Sequence, residues 1–195
     1  MNHTAAGNPL AQDRGDRIRI AVHDGLREAL RPLFTLAEDS VPVLDSYLHL
    51  GRVLVATAPT GEVLGHLQLV DAVSPDRSGI EDPERAELKN MAVSEELQGQ
   101  GVGRRLVEAA LALLAAERCR TLVVSTAAAD IGNLRFYQRL GFRMCSVERD
   151  AFTPTTGYPP GIRIDGIELR DRVWLDRPVG LEHVDGDLVA TAPTS

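Results

Sequence analysis

The sequence predicts a mixed α/β layer, a sheet faced by helices, and three observations carry that reading. Val102 to Glu117 is a strongly amphipathic helix, with Val102, Leu106, Ala109, Ala110, Leu113 and Leu114 along one stripe. Arg52–Thr57 and Glu62–Val70 are β-rich and flank the turn-rich Ala58-Pro59-Thr60-Gly61, which reads as a hairpin. Strand–helix alternation is confined to the middle of the chain, which argues against a doubly wound parallel sheet.

Taken in order, Arg17 to Val22 alternates charged and apolar residues as a half-buried strand does. Asp24 stands ahead of Leu26, Ala29, Leu30 and Leu33 as an N-cap before helical spacing, and Pro32 weakens or kinks that helix. Val43 to Leu50 is a second short helix, and the hairpin follows. Ser74 to Pro83 has no period, two prolines and three acidic residues, and reads as a loop. Ala86–Val93 is the fourth strand, and the long helix follows it. Thr121–Thr126 is a short apolar strand, and Asn133–Leu140 a short helix stopped by Gly141. Phe142–Val147 and Ile167–Leu175 complete the set. The sum is β-α-α-β-β-β-α-β-α-β-β. Residues 1–16 read as a flexible tail, 17–177 as one domain, and 178–195 as a second tail.

Composition narrows the classes. The chain of 195 residues suits a single domain with short tails. Acidic residues (28) outnumber basic ones (21), for a formal charge of −7. That balance argues against non-specific nucleic-acid binding, which needs Lys and Arg against phosphate. It leaves room for a local basic pocket. Cys119 and Cys145, the only cysteines, show no zinc spacing, and no metal is expected. Both read as reduced, buried thiols of a cytoplasmic protein. Neither a signal-peptide core nor a membrane-length apolar stretch is seen, so no membrane partner is expected.

The chemistry gathers at Gln98-Gly99-Gln100-Gly101-Val102-Gly103, between the fourth strand and the long helix. Glycines let the main chain turn tightly and approach a ligand. A first helical turn carries free N–H groups and partial positive charge, so it receives phosphate. Arg104 and Arg105 follow in that turn. A P-loop would need Gly-Lys-Ser/Thr, and a dinucleotide fingerprint needs a different glycine spacing, so both are excluded. On these grounds alone the segment is a phosphate-binding turn or a turn with no ligand.

Two stretches then resemble one family. Gln98-x-x-Gly101-x-Gly103, after a strand ending Ala92-Val93, is similar to the Q/R-x-x-G-x-G/A acetyl-CoA motif of the GNAT N-acetyltransferases. Asn133 to Phe142 is similar to the family's N-x-x-x-x-Y-x-x-x-G-F segment, at the expected distance downstream. The resemblance covers residues 17–175 and implies a mostly antiparallel twisted sheet, splayed between its fourth and fifth strands. Glu87-Leu88-Lys89-Asn90-Met91-Ala92-Val93, Asp150-Ala151-Phe152 and Gly166-Ile167-Glu168-Leu169-Arg170-Asp171 resemble a bacterial subgroup of that family.

The resemblance implies acetyl-CoA as cosubstrate, its pantetheine arm paired with main-chain groups of Met91, Ala92 and Val93. The pyrophosphate would lie over Gln98, Gly99, Gln100, Gly101, Val102, Gly103 and Arg104. Asn133 would hydrogen-bond the pantetheine or cap its own helix. Tyr137 would face the thioester sulfur and protonate the leaving thiolate, or be a core tyrosine. Glu87 matches a position that serves as base in several members; otherwise it is a solvated strand-edge carboxylate, with a water chain taking the proton. His66 reads as a strand residue facing solvent or a neighbour, and Cys145 as packing. Ser125-Thr126-Ala127-Ala128-Ala129-Asp130 departs from the subgroup's Gly-Thr-Gly-Asn, so the acceptor wall differs.

The implied reaction is direct acetyl transfer to a primary amine of a small molecule or peptide. The alternative is a non-catalytic acyl-CoA sensor or interaction module on the same fold. The acidic stretch Asp76 to Glu87 hints at a cationic amine. The last strands form dimer contacts in many members, which gives a homodimer as an expectation.

Overall fold

The computed structural model describes residues 18–73, 81–184 and 187–190. Among them, seven strands form one sheet in the order β1-β2-β3-β4-β5-β9-β6. β1 (Arg19–Val22), β2 (Arg52–Thr57), β3 (Val63–Val73) and β4 (Glu81–Val93) are an antiparallel run. β5 (Thr121–Ala127) joins β4 in parallel, after the crossover helix α3 (Val102–Ala116). β9 (Arg172–Pro178) pairs antiparallel with both β5 and the edge strand β6 (Arg143–Glu148). The order and the single parallel pair bear out the mixed, mostly antiparallel sheet.

The apolar stripe of α3 packs on one face. Leu106, Val107, Ala110 and Leu114 are fully buried there with Leu67, Leu69, Leu88, Leu122 and Val124. The other face carries a 3₁₀ turn (Arg27–Leu30), α1 (Arg31–Phe34) and α2 (Val41–Tyr47). Phe34, Leu44 and Leu48 seal these onto Val53 and Val55. α4 (Ile131–Arg139) follows β5.

Helices of four and seven residues are too short to hold themselves. Three buried polar side chains of β3 and β4 anchor them. The Gln68 amide donates to Tyr47 O at 2.8 Å and Leu50 O at 2.9 Å. Asn90 Nδ2 donates to Phe34 O at 3.3 Å and to the Tyr47 hydroxyl at 2.8 Å. Phe34 O and Tyr47 O, which otherwise accept only a turn bond from Ala37 N and Leu50 N, gain a second donor this way and tie the helix ends to the sheet. His66 Nε2 donates to Asn90 Oδ1 at 2.9 Å, and its ring stacks on Phe34 at 4.0 Å.

Several expectations are corrected. Of the two alternatives for His66, solvent or a neighbour, the second holds: it is fully buried against Asn90 and Phe34. Asp24 does not cap a helix: the 3₁₀ turn is capped at Leu26 without a side-chain bond. Pro32 falls in the first turn of α1, where a missing N–H costs nothing, so it starts a helix instead of kinking one. Pro42 does the same for α2, which begins at Val41. β4 begins at Glu81, with a register irregularity against Asp71–Val73. Residues 74–80 of the expected loop, and the tail 1–16, lie outside the described residues.

Ile167–Leu175 is not one strand. Asp165 (φ 49°) and Gly166 (φ 81°) form a two-residue left-handed turn. It folds β7 (Arg163–Ile164) onto β8 (Ile167–Glu168), and β9 starts only at Arg172. Within residues 178–195, β10 (Leu181–Val184) and β11 (Asp187–Ala190) form a hairpin where a tail was expected. Cys119 is buried, but Cys145 is exposed, because β6 is an edge strand with all six residues exposed.

Burial pushes the His66 pKa down from 6.5 to about 4. The unfolded chain binds a proton in that interval and the folded chain does not. Stability is therefore full above pH ~6.5 and falls as pH drops toward 4, by about 3 kcal/mol over the whole interval. Urea titrations from pH 7.5 to 4.5 should show this loss, and His66→Gln should flatten it; parallel curves would contradict the assignment.

Candidate functional site

The pairing of β4 with β5 ends early. The register runs from Arg85↔Thr121 to Leu88↔Val124 and goes no further. β5 continues to Ala127 against β9, and β4 continues to Val93 against β3. The cause lies in β4. Gln68 pairs with Asn90 and Leu69 with Leu88, so Lys89 is an extra residue, a β-bulge. A bulge bends and twists its strand, and here it falls where β4 leaves β5. The strands splay, and a cleft of about 810 Å³ opens between them.

Met91, Ala92 and Val93 line this cleft along the unpaired β4 edge. Gln98, Gly99, Gly101, Val102, Gly103 and Arg104 line its end. Gly99 (φ 74°) and Gly101 (φ 83°) hold left-handed conformations that a side chain would strain. Gly101 caps α3, whose first backbone bond runs from Arg105 N to Gly101 O at 3.1 Å. The N–H groups of the first turn before it face no helical acceptor.

Two residues of the loop act differently from expectation. The Gln98 side-chain amide donates to Val93 O at 3.2 Å, tying the loop to the end of β4. Gln100 does not line the cleft; its amide donates to Glu96 O at 2.7 Å. Arg104 lines the cleft and pairs with Glu108 at 2.7 Å.

Tyr137 and Asn133 line the opposite wall from α4. The Tyr137 ring is buried edge-on between Phe136 (5.2 Å) and Phe142 (5.5 Å). Burial, and then the Asp130 charge, push its phenol above the usual range. It stays protonated through neutral and mildly alkaline pH. Asn133 is not the N-cap of α4. Asp130 is, accepting from Asn133 N at 2.8 Å and from Asn133 Nδ2 at 2.7 Å. The Asp-x-x-Asn spacing before the helix was the signal for that cap. The side chain of Asn133 is thereby fixed with its oxygen as the remaining acceptor.

Glu87 is on β4 but does not line the cleft. Its Oε1 accepts from Lys89 Nζ at 3.1 Å. Three other carboxylates do line it: Asp130, the cap of α4, and Glu38 and Asp39 from the turn between α1 and α2, of which Glu38 is held by two tyrosines. Tyr47 donates to Glu38 Oε2 at 3.3 Å, and Tyr158 to Oε1 at 3.0 Å. No periodic pattern marks this residue, since its partners are 9 and 120 positions away.

Among the described residues no group of His, Cys, Asp and Glu is placed to hold a metal, and no helix is long and apolar enough to cross a membrane.

The model of the acetyltransferase (GNAT) family matches residues 21–142. An uncharacterized N-acetyltransferase, YvbK, of Bacillus subtilis is 30% identical over 162 residues, spanning 82% of this chain and 97% of the relative. A Bacillus subtilis acetyltransferase solved in complex with CoA shares 30% identity at a TM-score of 0.71, over 83% of this chain and 98% of the other. A GNAT family acetyltransferase from Elizabethkingia anophelis, with acetyl-CoA bound, shares 29% identity at a TM-score of 0.72, over 84% and 99%.

Proposed function

The chain belongs to the GNAT acetyltransferase family and is an acetyl-CoA-dependent N-acetyltransferase; from that premise we propose that it acetylates a primary amine of a small molecule or peptide by direct attack within a ternary complex. The observation that carries this is the splay itself. One cleft joins an open strand edge, a glycine-capped helix start and a buried phenol.

The residues fit the cosubstrate. The open β4 edge at Met91–Val93 pairs with the amides of the pantetheine arm, as a strand added to a sheet would. The first turn of α3 and Arg104 receive the pyrophosphate. Gly99 and Gly101 let the chain reach that turn, and Gln98 holds the loop against Val93. Asn133, braced by Asp130, offers its oxygen to the arm.

In the reaction the amine nitrogen bonds to the thioester carbon and the carbon–sulfur bond breaks. Tyr137 donates its proton to the departing thiolate. We assign the amine's proton to water in the open cleft instead of Glu87, whose carboxylate is held by Lys89 outside the lining.

Thiol release across a panel of amines tests the activity; CoA binding without release for any amine would sink it. Tyr137→Phe should lower kcat about 100-fold with little change in CoA affinity. An unchanged kcat would remove the phenol from the reaction. Gly101→Asp sets a carboxylate against phosphate at the helix start and should weaken acetyl-CoA roughly 100-fold by calorimetry. Undiminished affinity would move the pyrophosphate elsewhere.

A further inference from the structure

The geometry points to Glu38 as the seat of a second ammonium on the acceptor, making the substrate a diamine: a primary amine that carries another cationic group. This rests on the acetyltransferase reading above.

Glu38 is held more firmly than a surface carboxylate. Its Oε1 accepts from Ser40 N at 3.0 Å and from the Tyr158 hydroxyl at 3.0 Å. Its Oε2 accepts from the Tyr47 hydroxyl at 3.3 Å. A carboxylate offers about four acceptor positions. Three are filled, and the fourth belongs to Oε2 of a residue that lines the cleft.

Both tyrosines are themselves fixed. Tyr47 is 4% exposed, and its oxygen accepts from Asn90 Nδ2 at 2.8 Å. Asn90 in turn accepts from His66. The donors thus run in one direction, from His66 through Asn90 and Tyr47 to Glu38. Tyr158 is 6% exposed and packs edge-on against Phe152 at 4.9 Å. It is delivered by a turn at Gly157 (φ 95°), where a Cβ would stand 3.1 Å from Ser40 Oγ. Segments 120 residues apart therefore converge on one carboxylate.

The cleft's own cations do not neutralise it. Lys89 pairs with Glu87 at 3.1 Å, Arg104 with Glu108 at 2.7 Å, and Arg172 with Glu148 at 3.2 Å. The open position of Glu38 suits an N–H donor that arrives with the acceptor, and a charged one gains most. That group is not the attacking nitrogen. A carboxylate that stabilised the attacking nitrogen as ammonium would oppose the deprotonation that attack requires. Leu36, Val43 and Phe152 line the same cleft and suit the methylene chain between two amines.

The test compares α,ω-diamines of three to six carbons with amino alcohols of equal length, in which a hydroxyl replaces the distal ammonium. Both kcat/KM and calorimetric binding to CoA-loaded protein are read. The wild type should favour the diamine at its best length by about tenfold or more. Glu38→Gln should bring that ratio near one. Tyr158→Phe, which removes one donor to the carboxylate, should lower it severalfold, and carries the test if Glu38→Gln melts early. A wild-type ratio near one at every length overturns the proposal, as does a ratio unchanged in either variant. Absence of turnover with the binding ratio intact would instead defeat the acetyltransferase reading and leave the seat standing.

Discussion

The extra residue at Lys89 is the constraint on which the site depends. Up to Leu88, β4 and β5 are ordinary parallel neighbours. Past it, the bulge leaves β4 bound to β3 alone and β5 to β9 alone. A sheet that stayed zipped would bury both edges and leave no cleft. The splay instead exposes a strand edge inside the molecule, where a ligand with amides of its own can pair with it in place of water. The crossover helix then starts at the end of that edge, so a helix N-terminus and an unpaired strand meet in one cavity.

The opposite sheet face solves a different problem. α1 and α2 are too short to be stable alone, yet the turn between them, with Val43 of α2, lines the cleft. Gln68 and Asn90 hold their carbonyl ends, and His66 fixes Asn90. The same buried column that secures the wall also orients Tyr47, and through it Glu38. Structural anchoring and the proposed acceptor seat share one set of hydrogen bonds, so changes at His66 should be felt at Glu38.

The sheet, the long helix and the glycine turn were legible because their signals are local. The α3 stripe repeats within a single helix, and Gly101 needs its left-handed conformation at a fixed place. Asn133 and Tyr137 were legible as a motif one helix later. The reading failed where a single residue has two meanings. Pro32 looked like a break or a kink and is a helix start. Asp165-Gly166 is a hairpin turn that draws the start of what looked like one strand, Ile167–Glu168, into a separate pairing with β7. His66 stayed open between solvent and a neighbour because its stacking partner, Phe34, is far away in sequence. Glu38 was invisible for the same reason: nothing near it in sequence shows that Tyr158 will reach it.

The central claim is that the splay between β4 and β5 receives acetyl-CoA. A crystal structure of the complex tests it most directly. The account predicts pantetheine amides hydrogen-bonded to the main chain of Met91–Val93, the pyrophosphate over the first turn of α3, and the thioester sulfur beside the Tyr137 hydroxyl. A cofactor bound outside the splay, or one that leaves the Met91–Val93 edge without partners, would contradict it.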